Sequence, residues 1–264
     1  MKIRQETADY AYAGLNSGQS SPSTHTLYSN SSASLPPFSP PNHRGRSSEY
    51  IGSEQAFDLI AAASHARLIG LPLNLFITIN FEAGDLESGR RGQEALSAWL
   101  KRAGQWLALR GVKLTYIWVL EHASGAGLHT HILLHCPHKH HAAFKKMGRT
   151  SWAVKAGMRP ATGSRQNAIY YEKVGPRGYD GPNALPNHHQ TYYNQLKGIL
   201  KYHLKAINPE EVVKLDQAQR LLGDFLKVEE NYSLPIYGRR LSRSENISKK
   251  AREAYHAERE ATIH

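Results

Sequence analysis

Several things are missing from this chain of 264 residues, and each absence excludes something. It has a single cysteine, Cys136, so no disulfide can form within it, which fits a reducing cytoplasm. It has no run of about eighteen apolar residues, so nothing in it reads as a membrane-spanning helix. The N-terminal MKIRQETADY has no apolar core of the kind a secretory signal needs. A G-x-x-x-x-G-K-[ST] phosphate loop is absent, which argues against an ATP-driven motor. Between Asp9 and Arg44 there is no Asp, Glu, Lys or Arg, while Ser, Pro and Asn dominate. Such a stretch buries too little apolar surface to offset its chain entropy, so residues 1–48 are expected to be disordered.

What is present is positive charge. A net charge of +11 and a pI near 9.7 point to a polyanionic partner, nucleic acid ahead of a membrane surface. The charge is dense near the C-terminus, where Arg239, Arg240, Arg243, Lys249, Lys250 and Arg252 read as a phosphate-contacting surface.

Periodicity predicts a helix from Ser53, with Phe57, Ile60, Ala61 and Leu68 along its apolar stripe. Leu73–Phe81, rich in β-branched and aromatic residues, predicts a strand. Glu82–Gly92 reads as a polar turn. Glu94–Arg110 predicts an amphipathic helix stopped by Gly111. Strands follow at Lys113–Glu121 and Leu128–Cys136, then a helix at His141–Ala156. Residues 158–187 read as a long loop, His188–Ala206 as a strong helix, and Glu210–Phe225 as another. The order strand–helix–strand–strand–helix implies an α+β domain, an antiparallel sheet with helices on one face.

Within that frame, Glu121–Cys136 reads as strand, tight turn at Ser124–Gly127, and strand. Residues at i and i+2 of a strand share a face, so His129 and His131 point the same way. Leu128, Thr130, Ile132, Leu134 and Cys136 give the opposite face an apolar surface. Neutral imidazole is a common ligand of divalent transition metals, but two histidines fill only part of a coordination sphere. A hairpin brings Glu121 toward them as a third ligand. The alternative is a hydrogen-bonded histidine pair beside a solvated strand end.

The helix HHQTYYNQLKGILKYHLKAI carries a second feature. Tyr202 and Lys205 are three residues apart and share a helix face, with Gly198 one turn earlier. A tyrosine is a poor nucleophile at neutral pH unless a cation stabilises its phenolate, which Lys205 or a metal would supply. Gly198 leaves room for a nucleic-acid backbone. Tyr192 and Tyr193, with Lys197 after them, compete for the nucleophile's role but lack the Tyr-x-x-Lys spacing. Tyr202 is otherwise an ordinary aromatic on an amphipathic helix.

Three pieces in this order, the strand LFITINF, Glu121 with His129-Thr130-His131, and Ile199-x-x-Tyr202-x-x-Lys205, resemble the HUH endonucleases of the rolling-circle replication initiator type with a single catalytic tyrosine. The resemblance covers roughly residues 55–207. It implies a ferredoxin-like palm over 50–208, with 1–48 disordered and 209–264 a helical, basic DNA-contacting tail. It also implies attack by Tyr202 on a phosphate of single-stranded DNA, giving a 5′-phosphotyrosine and a free 3′-hydroxyl, with Mg²⁺ or Mn²⁺ held by His129, His131 and Glu121. The implied partners are single-stranded DNA, origin duplex or hairpin DNA and a helicase of the bacterial host, in whose cytoplasm the protein would act, with no membrane. With Gly at 198 and Ala at 206, the chain departs from the two-tyrosine subgroup.

Tyr170, Tyr171, Lys173, Arg177 and Lys201, with Tyr179 nearby, are candidates for contacts to unpaired bases and phosphates; loop decoration is the equal alternative for the tyrosines. His135 lies too far along its strand to share the cation. His138-Lys139-His140-His141 reads as a solvated helix start. A single-tyrosine transposase would share the order of motifs, and a relaxase is disfavoured because its tyrosine precedes its histidines. A histidine-triad nucleotide hydrolase would want histidine where Leu133 stands. The non-enzymatic alternative is a basic DNA-binding protein with structural histidines.

Overall fold

The computed structural model describes residues 47–84, 86, 89–123, 127–159, 167–179, 181, 184–208, 210–211 and 235–263. The disorder expected for 1–48 lies outside these apart from Ser47–Ser48, as do nearly all of the helix expected at Glu210–Phe225 and most of the turn at Ser124–Gly127.

The strands are β1 (Ser47–Ser48), β2 (Leu75–Asn80), β3 (Tyr116–Ala123), β4 (Gly127–Leu134), β5 (Ile169–Lys173), β6 (Ile236–Tyr237) and β7 (Leu241–Arg243). The helices are α1 (Ser53–Leu68), α2 (Gly89–Ala108), α3 (His141–Met147), α4 (Ala153–Lys155), α5 (Pro186–His203) and α6 (Lys249–Ile263), with a π-helical turn at Gly148–Trp152 between α3 and α4. β1 pairs with β6, and the main sheet is antiparallel in the order β5-β2-β4-β3-β7. The stretch β2–α2–β3–β4–α3–β5 therefore has the connectivity and strand order of a ferredoxin-like unit.

The alternation of β2 builds two cores. Leu75, Ile77 and Ile79 face one side with Trp118, Leu120, Ile132 and Leu134, and α2 covers them with Leu96, Trp99, Leu100, Ala103 and Leu107, joined by Phe144 and Trp152. On the other side Ile117, Val119 and Leu133 pack under Leu59, Ala62, Ala63 and Ala66 of α1 and under Tyr192, Leu196 and Leu200 of α5. The expectation of helices on one face is thus corrected. It holds for the ferredoxin-like unit, but α1 and α5, outside that unit, cover the reverse face. A long helix with an apolar stripe needs a partner surface, and the back of a sheet supplies one.

Three further expectations change. Residues 158–187 contain β5, an edge strand that pairs with β2. The C-terminal segment is no mere appendage, because β7 extends the sheet beyond β3, and α6 packs on α1 through Tyr255 against His65, ring centroids 5.0 Å apart. Finally, α5 begins with Pro186 in its first turn and ends at His203, so Lys205 lies just past the helix. Two backbone bonds fix that segment: Ile51 N–H donates to Ala206 O at 2.8 Å, and Asn208 N–H donates to Ile51 O at 3.0 Å.

Candidate active site

Strand register assembles the site. Glu121 of β3 stands directly opposite His129 of β4, and Asn80 of β2 stands on the other side of His129. One pair further along, His131 lies between Thr78 and Val119. Paired residues share a face, so Glu121, His129 and His131 all project toward the α1/α5 side. Their ligand-capable atoms lie within 4.8 Å of one another, and all three side chains are buried.

Each imidazole is oriented from behind. Gly127 adopts φ +65°, a left-handed conformation that glycine tolerates, and its carbonyl accepts from His129 Nδ1–H at 3.0 Å. That leaves Nε2 facing Glu121 Oε2 at 3.1 Å, a contact that a proton or a cation shared between them satisfies. His131 Nδ1 meets the Thr78 hydroxyl at 3.0 Å. Phe76 stacks on the His131 ring with centroids 5.6 Å apart. Glu121 Oε1 and His131 Nε2 are buried and have no hydrogen-bond partner among the described residues. Two orphaned acceptors side by side, with the second ring nitrogens already tied down, fit a divalent metal held by Glu121, His129 and His131.

Electrostatics keeps Glu121 and His131 in ligand form. Burial works against ionisation of Glu121, but hydrogen bonding to His129 and the proximity of His131 and Lys205 hold its carboxyl well below the usual range. Burial pushes the His131 imidazole down, with His129 and Lys205 adding to that and Glu121 opposing it. Burial alone would depress the Lys205 ammonium, yet the Glu121 carboxylate at 2.8 Å, helped by Tyr202, holds it above its usual range.

The last turn of α5 crosses this group. The Tyr202 ring lies edge-on to His131 at 4.9 Å, and Lys205 Nζ sits 4.0 Å from the Tyr202 ring centroid. Tyr202 remains 43% exposed, so one side of it meets solvent. The other two tyrosines of α5 stand elsewhere. Tyr192 is fully buried, stacked on Tyr179 at 4.3 Å, and burial raises its phenol far above the ordinary value. Tyr193 is exposed but nine residues before Tyr202, about half a turn out of phase on the helix.

The structure separates the other candidates. Tyr170, 46% exposed on edge strand β5, shares the row Tyr170–Thr78–His131 and so the face of the site. Tyr171 points the other way: its hydroxyl is buried against Gly148, and Arg149 lies over its ring at 5.2 Å. It is therefore a core residue of the far side, as alternation along β5 requires. Lys173 shares that far face at the end of β5, and Arg177 is exposed in the turn beyond it. Lys201 is half-buried beside Tyr202. His135 stays at its strand end, where its Nδ1–H donates to Pro72 O at 2.8 Å.

The basic residues of the C-terminal segment stand in different environments. Arg240 is 3% exposed, with Nη2 donating to Ser48 O at 2.6 Å and Nε to Ser48 Oγ at 3.2 Å. Arg243 and Arg252 both pair with Asp58 of α1. These arginines fasten the C-terminal segment to the body of the protein. Arg239 is exposed, held only lightly by Ser242 at 3.2 Å.

Sequence reasoning missed Thr78, Phe76 and His203. The first two need strand register, which one sequence does not provide. His203 had a signal, since it completes the buried stripe Tyr192–Leu196–Leu200 of α5. Its Nδ1–H donates to Ile199 O at 2.9 Å, and burial beside His131 pushes its pKa down to about 3.

Residues 74–175 match the family model of the replication-associated protein ORF2. The matched family is a rolling-circle replication initiator family of the HUH endonuclease type. No curated protein and no solved structure matches the chain. The match takes in β2 to β5, hence Glu121, His129 and His131 of the initiator domain, and stops before α5 with Tyr202 and Lys205. Proteins of that family are replication initiators that act on origin DNA. Among the described residues no helix is long and apolar enough to cross a membrane.

Proposed function

We propose that the protein is a single-strand DNA endonuclease and strand transferase that nicks a replication origin through Tyr202. The observation that carries this reading is the approach of Tyr202 to His131 at 4.9 Å, with Lys205 reaching both Glu121 and the Tyr202 ring. A nucleophile must lie beside the groups that neutralise the phosphate it attacks.

Glu121, His129 and His131 would hold a divalent ion such as Mg²⁺ or Mn²⁺, which would supply the charge that polarises a phosphate oxygen. The Tyr202 oxygen forms a bond to phosphorus as the bond to the preceding 3′ oxygen breaks. The phenol proton passes to solvent, the leaving oxygen takes one up, and Tyr202 retains the 5′-phosphate. Lys205 offsets negative charge at the phenolate and phosphate. Attack by a 3′-hydroxyl on that ester reverses the step, so phosphodiester energy is conserved for rejoining. Tyr170 offers its exposed ring to an unpaired base on the open edge of the same face, with Lys201 and Arg239 as phosphate contacts. Incubation of the protein with a single-stranded origin oligonucleotide and Mn²⁺ tests this reading. A denaturant-resistant protein–DNA adduct is expected, and free 5′-phosphate ends with no adduct would refute it.

A further inference from the structure

The side of α5 away from the sheet carries a feature that the nicking reaction does not use. Near its N-terminus, Pro186, His189, Gln190 and Tyr193 line an open cavity of about 190 Å³ with Arg67 from the last turn of α1. That is below the roughly 300–1,000 Å³ of a drug-sized ligand pocket, and so of a size for a fragment such as one base. Among the described residues the lining is a guanidinium, an imidazole, an amide, a phenol and a proline ring, with no carboxylate. Tyr193 is 50% exposed, so its ring face is available for stacking. His189 is set from behind, with Nδ1 3.0 Å from the Tyr179 hydroxyl. The N-terminus of the 18-residue α5 adds a positive dipole end.

A surface track joins this cavity to Tyr202. Residues four apart form a ridge that winds slowly around a helix. Tyr202, Gly198, Asn194 and Gln190 are such a row, and it runs from the flank that meets His131 to the rim of the cavity. Among the described residues nothing lies within 4 Å of where a Gly198 Cβ would stand, so a strand can lie against the helix there. Further on, Gln190 Nε2 donates to Asn194 Oδ1 at 2.8 Å, which leaves the outer half of the ridge as neutral amides. The row spans twelve residues, roughly 18 Å of helix. A stacked strand at about 3.4 Å per nucleotide covers that in at most about five nucleotides.

We infer that the Arg67–His189–Gln190–Tyr193 cavity is a second nucleotide subsite, which holds one unpaired base on Tyr193 and its phosphate on Arg67, a few nucleotides from the scissile bond. This rests on single-stranded DNA being the substrate, but it does not depend on Tyr202 being the nucleophile.

The test is binding without cleavage, with the full chain in EDTA. Fluorescence anisotropy is read on oligonucleotides that extend one to eight nucleotides beyond the nick position on either flank. On one flank, affinity should step up as the extension approaches about five nucleotides. Tyr193→Ala should remove that step, a loss of about 5- to 100-fold, and Tyr193→Trp should restore it. Gln190→Glu, on the exposed rim, should weaken the same long oligonucleotides by charge and serves as the second variant should Tyr193→Ala unfold. A 5-iodouracil at the stepped position should cross-link to a peptide containing Tyr193 or Arg67. Equal affinity of wild type, Tyr193→Ala and Gln190→Glu for every length, or cross-links confined to β5, would overturn the subsite. Because no metal or cleavage is involved, these outcomes are separable from failure of the nicking reading, which is judged by the adduct.

Discussion

Lys205 Nζ lies 2.8 Å from Glu121 Oε2, the same carboxylate oxygen that faces both histidines. Three groups thus converge on one buried oxygen, and a bound cation would compete with Lys205 for it. Lys205→Ala leaves the Glu121 charge buried with less compensation, a loss of about 3–5 kcal/mol when one partner of a buried pair is removed. The variant's melting temperature should fall in EDTA and recover largely on adding Mn²⁺, while cleavage remains slow. Equal melting temperatures with and without Mn²⁺ would remove the metal from this account.

The histidine pair and its backing can be tested separately. His129→Ala and His131→Ala each remove a nitrogen ligand and should reduce cleavage by more than about 100-fold, beyond the range for outer partners, with circular dichroism little changed. Thr78→Val keeps the shape but drops the bond to His131 Nδ1, and should weaken Mn²⁺ binding by about 10- to 100-fold. Retained Mn²⁺-dependent cleavage in both alanine variants would sink the metal site.

Acid should destabilise the protein through His203. The unfolded residue takes up a proton near 6.5, the folded one only near 3, so between these values the unfolded state binds more protons. Stability therefore rises with pH in that window, and acidification removes up to ~1.4 kcal/mol per pH unit for this one group. His203→Gln should make the acid limb shallower by as much as that, read from urea midpoints at pH 7, 6 and 5 in EDTA. Parallel pH profiles for variant and wild type would show that His203 does not titrate on unfolding.

The C-terminal arginines divide by environment. Arg240→Ala leaves Ser48 O without its buried donor and should cost about 1–3 kcal/mol. Arg243→Ala should also lower stability, since it breaks the pair with Asp58. Arg239→Ala should leave stability alone and lower the slope of log K against log salt by about 0.9 for duplex DNA, the share of one phosphate contact. An unchanged salt slope for Arg239→Ala would make that residue a solvated surface charge.

How much of this was legible follows from the range of each signal. Two histidines at i and i+2 fix a shared face, and a short turn brings Glu121 opposite, so the cluster of Glu121, His129 and His131 was readable within sixteen residues of chain. Thr78 was not, because it pairs with His131 across 53 positions and register needs a second strand. β5 and β7 are five and three residues long, too short for alternation to stand out among glycines and arginines. Charge density in a sequence says nothing of Ser48 and Asp58, which hold Arg240 and Arg243 from the other end of the chain.

Tyr202 carries the nicking reading. It lies outside the matched stretch 74–175, so its role rests on position: edge-on to His131, near Lys205, and open to solvent on one side. A phenolate attack stores the phosphodiester's energy in a protein–DNA ester, which attack by water would lose. Cleavage should therefore yield an adduct at Tyr202, on the 5′ side of the downstream fragment. Tyr202→Phe should bind Mn²⁺ and oligonucleotide within about 2- to 3-fold of wild type, since only a surface hydroxyl is lost, and form no adduct. Peptide mass spectrometry of the trapped complex, run beside denaturing gels, makes the measurement. An adduct mapped to Tyr192 or Tyr193, or adduct formation persisting in Tyr202→Phe, would assign the chemistry to another residue.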